Sequence, residues 1–189
     1  EPAPWDADFP LQRDSSKCIK CMRCVAICEK VQHCAVWDFT GVGPSTKIIV
    51  RDNLPIAEAG CALCGQCITH CPTGALVARD DVSLIMEAIL DPAVETVVQV
   101  APAVRTAWGE GLGLSREEAT PGRLAAALHA VGFDRVFDTD FAADLTIMEE
   151  GSEFVEFLGS DAPRPMFTSC YPGWVRFVKQ HNPQFTAQL

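Results

Sequence analysis

Eight of the ten cysteines in this chain fall into two runs that share one spacing. The runs are Cys18-x2-Cys21-x2-Cys24-x3-Cys28 and Cys61-x2-Cys64-x2-Cys67-x3-Cys71. Pro72 follows the second run directly. Thiolates are preferred ligands of soft metal ions, so each run offers four ligands to a metal centre.

The repeated spacing predicts two [4Fe–4S] clusters, because each cluster needs four thiolates and the fourth cysteine of such a run ligates the other cluster in two-cluster ferredoxins. We therefore expect cluster 1 to be held by Cys18, Cys21, Cys24 and Cys71, and cluster 2 by Cys61, Cys64, Cys67 and Cys28. A disulfide framework does not require sulfurs at i, i+3 and i+6, and a zinc site uses two close pairs of ligands. The doubled motif is far more specific than a single C-x-x-C.

The charge distribution argues against nucleic acid as a partner. The net charge is −10, and residues 81–189 carry 7 Lys and Arg against 16 Asp and Glu. Residues 1–80 are nearly balanced, with 8 against 9. Basic residues surround the first cysteine run, namely Arg13, Lys17, Lys20, Arg23 and Lys30. They favour an anionic cluster and an acidic redox partner, although ordinary surface positions explain them equally well.

The chain has no run of eighteen apolar residues, so we expect no membrane span. Its first residues, EPAPWDADFP, are acidic and interrupted by proline, so we expect no secretory signal there. The sequence lacks an initiating Met, and we expect a processed or trimmed part of a longer protein. Many thiols held for iron predict a reducing compartment, the cytoplasm of an anaerobe or facultative anaerobe.

Three segments are expected along the chain. Residues 1–14 form an irregular lead-in, and residues 15–80 form an α+β, ferredoxin-like module whose two halves repeat a cysteine loop and a short helix. Residues 81–189 form an α/β lobe with a parallel sheet, because apolar strand runs alternate with helical segments. The strands of that lobe are predicted at 96–100, 135–138 and 165–168. Functional groups of such sheets lie at the carboxyl ends of the strands.

The second half resembles the catalytic domain of [FeFe]-hydrogenases. The matching stretches are Val100-Ala101-Pro102-Ala103-Val104-Arg105, Val136-Phe137-Asp138-Thr139, Ala143-Asp144-Leu145-Thr146-Ile147-Met148-Glu149-Glu150 and Pro165-Met166-Phe167-Thr168-Ser169-Cys170-Tyr171-Pro172-Gly173-Trp174. The resemblance covers the chain from about residue 15, because a two-cluster module also precedes the catalytic domain in that family. It implies the first of two lobes that enclose the organometallic H-cluster.

The resemblance also implies residue roles. Cys170 matches the family's proton-transferring cysteine, and Glu150 and Glu153 match its acidic proton relay. Ala101 and Pro102 match backbone that packs against the diiron ligands. From the residues alone, the alternatives are a thiol at the edge of the core, a solvated helix face and a loop proline.

Tyr171 departs from the family pattern, which has a cluster-ligating cysteine at this position. A phenol is a poor replacement for a thiolate toward soft iron. We therefore do not expect this chain alone to hold a complete H-cluster. Two functions follow: iron–sulfur electron transfer in a hydrogenase-type oxidoreductase, or a non-catalytic, hydrogenase-derived electron-transfer or scaffold subunit. Either one needs a redox partner, a ferredoxin or a flavin- and NAD(H)-binding subunit, within a hetero-oligomer or a longer chain.

Cys34 lies outside both runs. We expect it to be an inert buried thiol.

Overall fold

The structure, a computed structural model, describes residues 4–189. The chain divides into two compact units. The first comprises the chain up to Arg79 together with Ala162–Leu189, and the second is Asp80–Asp161. Each unit mixes helices with a few short strands. No helix within the described residues is both long and apolar enough to cross a membrane.

The first unit contains two antiparallel strand pairs. Its elements are β1 (Leu11–Arg13), α1 (Arg23–Lys30), β2 (Trp37–Thr40), β3 (Lys47–Val50), α2 (Gln66–Thr69), β4 (Leu76–Ala78) and, near the end of the chain, α7 (Pro172–His181). β1 pairs with β4, with Gln12 opposite Val77, and β2 pairs with β3, with Phe39 opposite Ile48. The predicted lead-in thus includes β1, whose residues pair with the end of the cysteine module.

The core of the first unit lies where β2 and β3 meet the cysteine loops. Trp37 and Ile56 are each 1% exposed. Alternation along β3 turns Ile48 and Val50 inward. Cysteines contribute a large share of this core: Cys28 and Cys67 belong to it, and Cys18, Cys24, Cys34, Cys61 and Cys71 pack against it.

The second unit contains a parallel strand pair and four helices. Its elements are α3 (Val82–Leu90), β5 (Val97–Gln99), α4 (Pro102–Ala107), α5 (Pro121–Val131), β6 (Arg135–Phe137) and α6 (Thr139–Leu158). β5 and β6 are parallel, with Val98 opposite Val136. The Asp134 carboxylate accepts hydrogen bonds from the Thr96 N–H at 2.7 Å and the Thr96 hydroxyl at 2.8 Å. These bonds fix the starts of the two strands side by side.

Helix ends in the second unit follow local signals. The Thr120 hydroxyl caps α5 by accepting the Arg123 N–H at 3.3 Å, and Pro121 occupies the first helical position. Gly132 ends α5 with a φ of 124°. A Cβ at Gly132 would lie 2.6 Å from Ile89 Cγ2, so a glycine is required by both conformation and space.

The strand predicted at 165–168 is not formed, and this prediction is wrong. Instead, the Phe167 backbone N–H donates a hydrogen bond to the Gln188 carbonyl oxygen at 2.7 Å. Its ring packs edge-on against Trp174 and Phe185, with centroids 6.0 and 5.9 Å away. Because these apolar contacts are made with α7 and with the residues that follow it, the segment belongs to the first unit. The predicted lobe 81–189 is therefore divided between the two units.

Candidate iron–sulfur centres

Two cavities in the first unit are lined by the predicted ligand cysteines. The first cavity is lined by Cys18, Cys21, Cys24 and Cys71, and the second by Cys28, Cys61, Cys64 and Cys67. Each cavity thus draws three thiols from one run and the fourth from the other run. All ten cysteines are free thiols.

The internal repeat recurs in the backbone. Lys20 and Leu63 occupy equivalent positions in the two runs and have φ values of 59° and 57°. Met22 and Gly65, again equivalent, have φ values of 63° and 71° and each precedes a helix. A backbone in which left-handed (positive φ) and right-handed conformations alternate is concave, and its N–H groups point toward one centre. The two runs therefore form matching loops around their cavities.

Backbone N–H donors reach several of the sulfurs, including those of Cys28 and Cys71. The Val36 N–H donates to Cys28 Sγ at 3.3 Å. At Cys71, burial raises the pKa, but hydrogen bonds from the Thr73 and Leu76 N–H groups outweigh it and bring the pKa below its ordinary value. Hydrogen bonds of this kind stabilise a thiolate and tune an iron–sulfur cluster.

Burial dominates at the inner thiols. It raises the pKa of Cys24 to about 11 and that of Cys67 to about 12. These thiols are therefore protonated at neutral pH before metal binds. Iron binding must displace the protons, which couples loading of the cavities to pH.

Trp37 forms a wall common to both cavities. Its ring stacks on Trp5 with centroids 6.0 Å apart and planes 5° apart. The Arg13 guanidinium lies 5.8 Å from the Trp37 ring centroid. Burial lowers the pKa of Arg13, while the nearby thiols of Cys18 and Cys24 act in the opposite sense. The first cavity thus has a partly desolvated cation at its side.

The donor set fits a four-iron cluster in each cavity. Four of the predicted ligand thiols line each space, which is the number that a [4Fe–4S] cluster requires. Within residues 4–189, no group of three or more His, Cys, Asp or Glu side chains is placed to hold a single metal ion. The cysteine sulfurs line two cavities instead.

Cys34 lies in the second cavity beside the four predicted ligands. It is partly buried, and burial raises its pKa to about 11. Sequence reasoning missed this placement, although the short distance along the chain from Cys28 was an available signal.

The C-terminal helix α7 packs on the second cysteine loop. Arg176 Nε donates to the Cys61 carbonyl at 3.0 Å. A Cβ at Gly173 would lie 2.7 Å from the Ala62 carbonyl oxygen and 2.7 Å from the Tyr171 ring. The glycine therefore permits close approach of helix and loop. No sequence signal identified Arg176.

The residues assigned by resemblance are distributed over both units. Cys170 and Tyr171 are exposed and directly precede α7 in the first unit. Glu150 is partly buried and Glu153 is exposed, both on α6 of the second unit. Ala101 is the residue before α4, which Pro102 begins.

Two strand ends of the second unit meet as expected for a parallel sheet. The Thr139 hydroxyl, after β6, donates to the Val100 carbonyl, after β5. Arg105 forms a two-point ion pair with Asp138 at 2.7 and 3.0 Å. Hydrogen bonding to Arg105 lowers the pKa of Asp138. The loops carrying Ala101 and Asp138 are therefore fixed to each other.

The motifs and cavities define a two-cluster iron–sulfur protein, and comparison with known proteins adds the family. Residues 17–75 match the 4Fe-4S dicluster domain. Residues 94–189 match the C-terminal domain of the iron-only hydrogenase large subunit. The chain belongs to the iron-only, or [FeFe], hydrogenase large-subunit family.

Individual relatives support the family over nearly the whole chain. The NADP-reducing hydrogenase subunit HndD of Solidesulfovibrio fructosivorans is 45% identical over 94% of this chain and 32% of its own length. Iron hydrogenase 1 of Clostridium pasteurianum is 37% identical over 95% of this chain and 31% of its own length. The chain thus spans about a third of these relatives. The solved apo structure of a variant [FeFe]-hydrogenase from Chlamydomonas reinhardtii matches with a TM-score of 0.52 and 44% identity, over 58% of this chain and 29% of that one.

An H-cluster does not fit the residues of this chain alone. Outside the two cavities the chain has one cysteine, Cys170, whereas a cubane needs four ligands. Tyr171, which is 52% exposed, adds only a phenol.

Proposed function

We propose that this chain conducts electrons through two [4Fe–4S] clusters within an [FeFe]-hydrogenase-type oxidoreductase. The proposed ligands are Cys18, Cys21, Cys24 and Cys71 for cluster 1, and Cys61, Cys64, Cys67 and Cys28 for cluster 2. One observation carries the proposal: each cavity takes its fourth thiol from the opposite run. Trp37 forms part of both walls, so the two cavities are neighbours, as a relay requires.

The arrangement proposed for residues 15–80 is ferredoxin-like. In its support, the two runs share backbone geometry at Lys20 and Leu63, and each run leads into a short helix. The lobe proposed to follow, 81–189, is of the α/β parallel-sheet type, and the parallel pair β5–β6 supports it.

Double substitutions test the crossed ligand assignment. In Cys18→Ser/Cys71→Ser both changes fall on cluster 1, so cluster 2 remains intact. In the matched variant Cys61→Ser/Cys71→Ser the changes fall on different clusters, so both are damaged. Iron and sulfide analysis and electron paramagnetic resonance of the reduced proteins measure the difference. Uncrossed ligation predicts the reverse result and would overturn the assignment.

The redox partner is proposed to be an acidic ferredoxin or a flavin- and NAD(H)-binding subunit. A basic opening beside Cys18 supports this, since it is lined by Arg13, Lys20 and Lys47. Charge pairing accelerates association and is screened by salt. Reduction by an acidic ferredoxin should slow as salt rises, and Lys47→Glu should slow it further at low salt. A rate independent of both changes contradicts docking at this surface.

A cytoplasmic location is also proposed, because ten free thiols suit a reducing compartment. Cell fractionation followed by immunodetection tests it. Recovery in an oxidising compartment contradicts it.

For the complete oxidoreductase we propose interconversion of dihydrogen and protons, with Cys170, Glu150 and Glu153 in proton transfer. Ala101, Pro102 and Tyr171 would then line the H-cluster pocket. The family match over residues 94–189, which includes all of these positions, supports the proposal. Glu150→Gln, which cannot release a proton, should lower turnover while leaving the iron content unchanged. Unchanged turnover in that variant contradicts the assigned role.

A second candidate is a non-catalytic electron-transfer or scaffold subunit derived from a hydrogenase. Tyr171 favours it, because a phenol is a poor ligand for soft iron. Infrared bands of bound CO and cyanide in the matured protein distinguish the two functions. Their presence excludes the non-catalytic reading, and their absence in properly matured protein excludes hydrogen chemistry.

A further inference from the structure

The two cysteine-lined cavities differ in the number of thiols that they contain. Four cysteines line the first, whereas Cys34 joins four others in the second. A four-iron cluster uses four thiolates, so one thiol of the second cavity remains unassigned. Cys34 is not an isolated cysteine, because it shares its cavity with a complete ligand set.

The backbone holds Cys34 close to Cys28. The N–H groups of Cys34 and Ala35 donate to the Cys28 carbonyl at 3.0 and 3.2 Å. Val36 donates to Cys28 Sγ itself at 3.3 Å. His33 and Ala35 flank Cys34 with φ values of 54° and 50°. The segment 33–36 therefore wraps around Cys28 and brings a second thiol to the same side of the cavity.

Cys34 is weakly restrained in its present position. Its thiol donates a hydrogen bond to the Gln32 carbonyl at 3.4 Å and accepts one from the Ala62 backbone N–H. Sulfur forms weak hydrogen bonds, so little is lost when the side chain turns. The electrostatic neighbours of Cys34 are Cys28, Cys64 and Cys61, with Cys28 the strongest.

We propose that Cys34 is a reserve ligand of the second cluster and takes the iron site of Cys28 when Cys28 is lost. The exchange would break the Fe–S bond of Cys28 where that residue is present, break the S–H bond of Cys34 and form an Fe–S bond to Cys34, and the released proton would pass to the Cys28 thiolate or to solvent. The oxidation states of iron and sulfur do not change. The proposal rests on the ligand assignment given above and concerns a residue outside that assignment.

Substitutions on helix α1 provide the test, because Cys24 and Cys28 lie on the same helix but serve different cavities. The proteins to compare, each reconstituted with iron and sulfide, are Cys28→Ala, Cys28→Ala/Cys34→Ala, Cys24→Ala and Cys24→Ala/Cys34→Ala. Cys34→Ala alone serves as control and should keep both clusters.

We expect Cys28→Ala to retain about eight irons per chain, the content of two [4Fe–4S] clusters. The double variant Cys28→Ala/Cys34→Ala should lose about one iron and show the paramagnetic signal of an oxidised three-iron centre. Cys24→Ala and Cys24→Ala/Cys34→Ala should both show this loss, since the first cavity has no fifth thiol. Equal iron content and equal spectra in Cys28→Ala and its double variant overturn the proposal.

Alkylation gives a second measurement on the same samples. Iodoacetamide should modify Cys34 in the loaded wild-type protein and leave it unmodified in loaded Cys28→Ala.

Should Cys28→Ala fail to fold, Cys28→Ser keeps the side-chain volume and permits the same comparison. Loss of the second cluster in both Cys28 variants, while wild type holds two clusters, overturns the reserve role and leaves the proposed function intact. Wild type without clusters overturns the proposed function instead.

Discussion

The two units bury their side chains to very different extents. The first unit encloses Trp37, Val36 and Ile56 almost completely, and its cysteines complete the core around them. Across Asp80–Asp161, all of which the structure describes, only Thr96 and Gly109 are buried. Helix α6 there exposes large apolar side chains, with Phe141 67% and Met148 69% exposed.

The contrast shows that an apolar composition is not sufficient to form a buried core. The second unit is rich in Val, Leu, Ile and Phe, yet those side chains remain largely accessible. In the first unit seven cysteines lie in or against the core, and bonds from the proposed ligand cysteines to iron would close its loops. We therefore expect the first unit to depend on iron and the second to respond weakly to truncation of single side chains.

Removal of iron should have the largest effect and should act on one unit. Ligand bonds to iron contribute directly to folding in small metal modules, so the first unit should lose several kcal/mol of unfolding free energy. Hydrogen exchange measured by mass spectrometry, before and after chelation, reports each unit separately. Protection should collapse in β2 and β3 and persist in α5. Equal loss in both units would break the comparison.

Truncation of one buried aromatic should come next. Trp37→Ala should cost about 3–5 kcal/mol, because it opens a cavity among tightly packed neighbours. Phe141→Ala, at an exposed position of the second unit, should change stability by no more than about 0.5 kcal/mol. Denaturant unfolding of the iron-loaded proteins measures both values. Similar costs would show that burial does not distinguish the units.

Two glycines offer a sharper contrast, since the same substitution should have opposite signs. Gly173→Ala places a methyl group 2.7 Å from the Ala62 carbonyl oxygen. We expect a cost of about 1–3 kcal/mol and faster hydrogen exchange in α7.

Gly151 lies inside α6, and a Cβ there meets nothing within 4 Å. Gly151→Ala should therefore stabilise the helix by about 0.5–1 kcal/mol. Thermal unfolding of both variants beside the wild type decides the signs. A destabilising Gly151→Ala would mean that α6 is covered at this position.

The smallest expected effect is a pH dependence confined to the second unit. Hydrogen bonds from the Thr96 N–H and hydroxyl lower the pKa of Asp134 from the ordinary 3.8. A carboxyl group with a lowered folded-state pKa stabilises the fold above the ordinary pKa, and that contribution is lost as pH falls below it. The stability difference between wild type and Asp134→Asn should be constant above pH 3.8 and shrink below it. Circular dichroism during acid titration measures it, and a difference that grows on acidification contradicts the assignment.

Much of the local structure could be predicted from the chain. The apolar runs at 96–100 and 135–138 correctly predicted the strands β5 and β6. The ends of α3 and α5 also coincide with local signals, Asp91-Pro92 and Gly132. These signals succeed because caps and breakers act over a few residues.

The failures concern contacts between segments that are distant along the chain. The run at 165–168 had strand composition, but its aromatic partners lie on the C-terminal helices. Arg176 gave no signal, since its partner is a backbone carbonyl 115 positions earlier. The positions of Cys34 and Trp37 depend on the positive φ angles of nearby residues such as His33 and Ala35. The sequence does not predict positive φ angles at these residue types. The spacing of the cysteines, in contrast, is a signal that the sequence itself carries, because cluster chemistry fixes it.

The hydrogen bond from Arg176 to the Cys61 carbonyl joins α7 to the loop of the second cavity. Cys170 lies two residues before the start of α7, and Arg176 lies on α7. The loop of the second cavity and the segment that carries the Cys170 thiol are therefore attached to one helix.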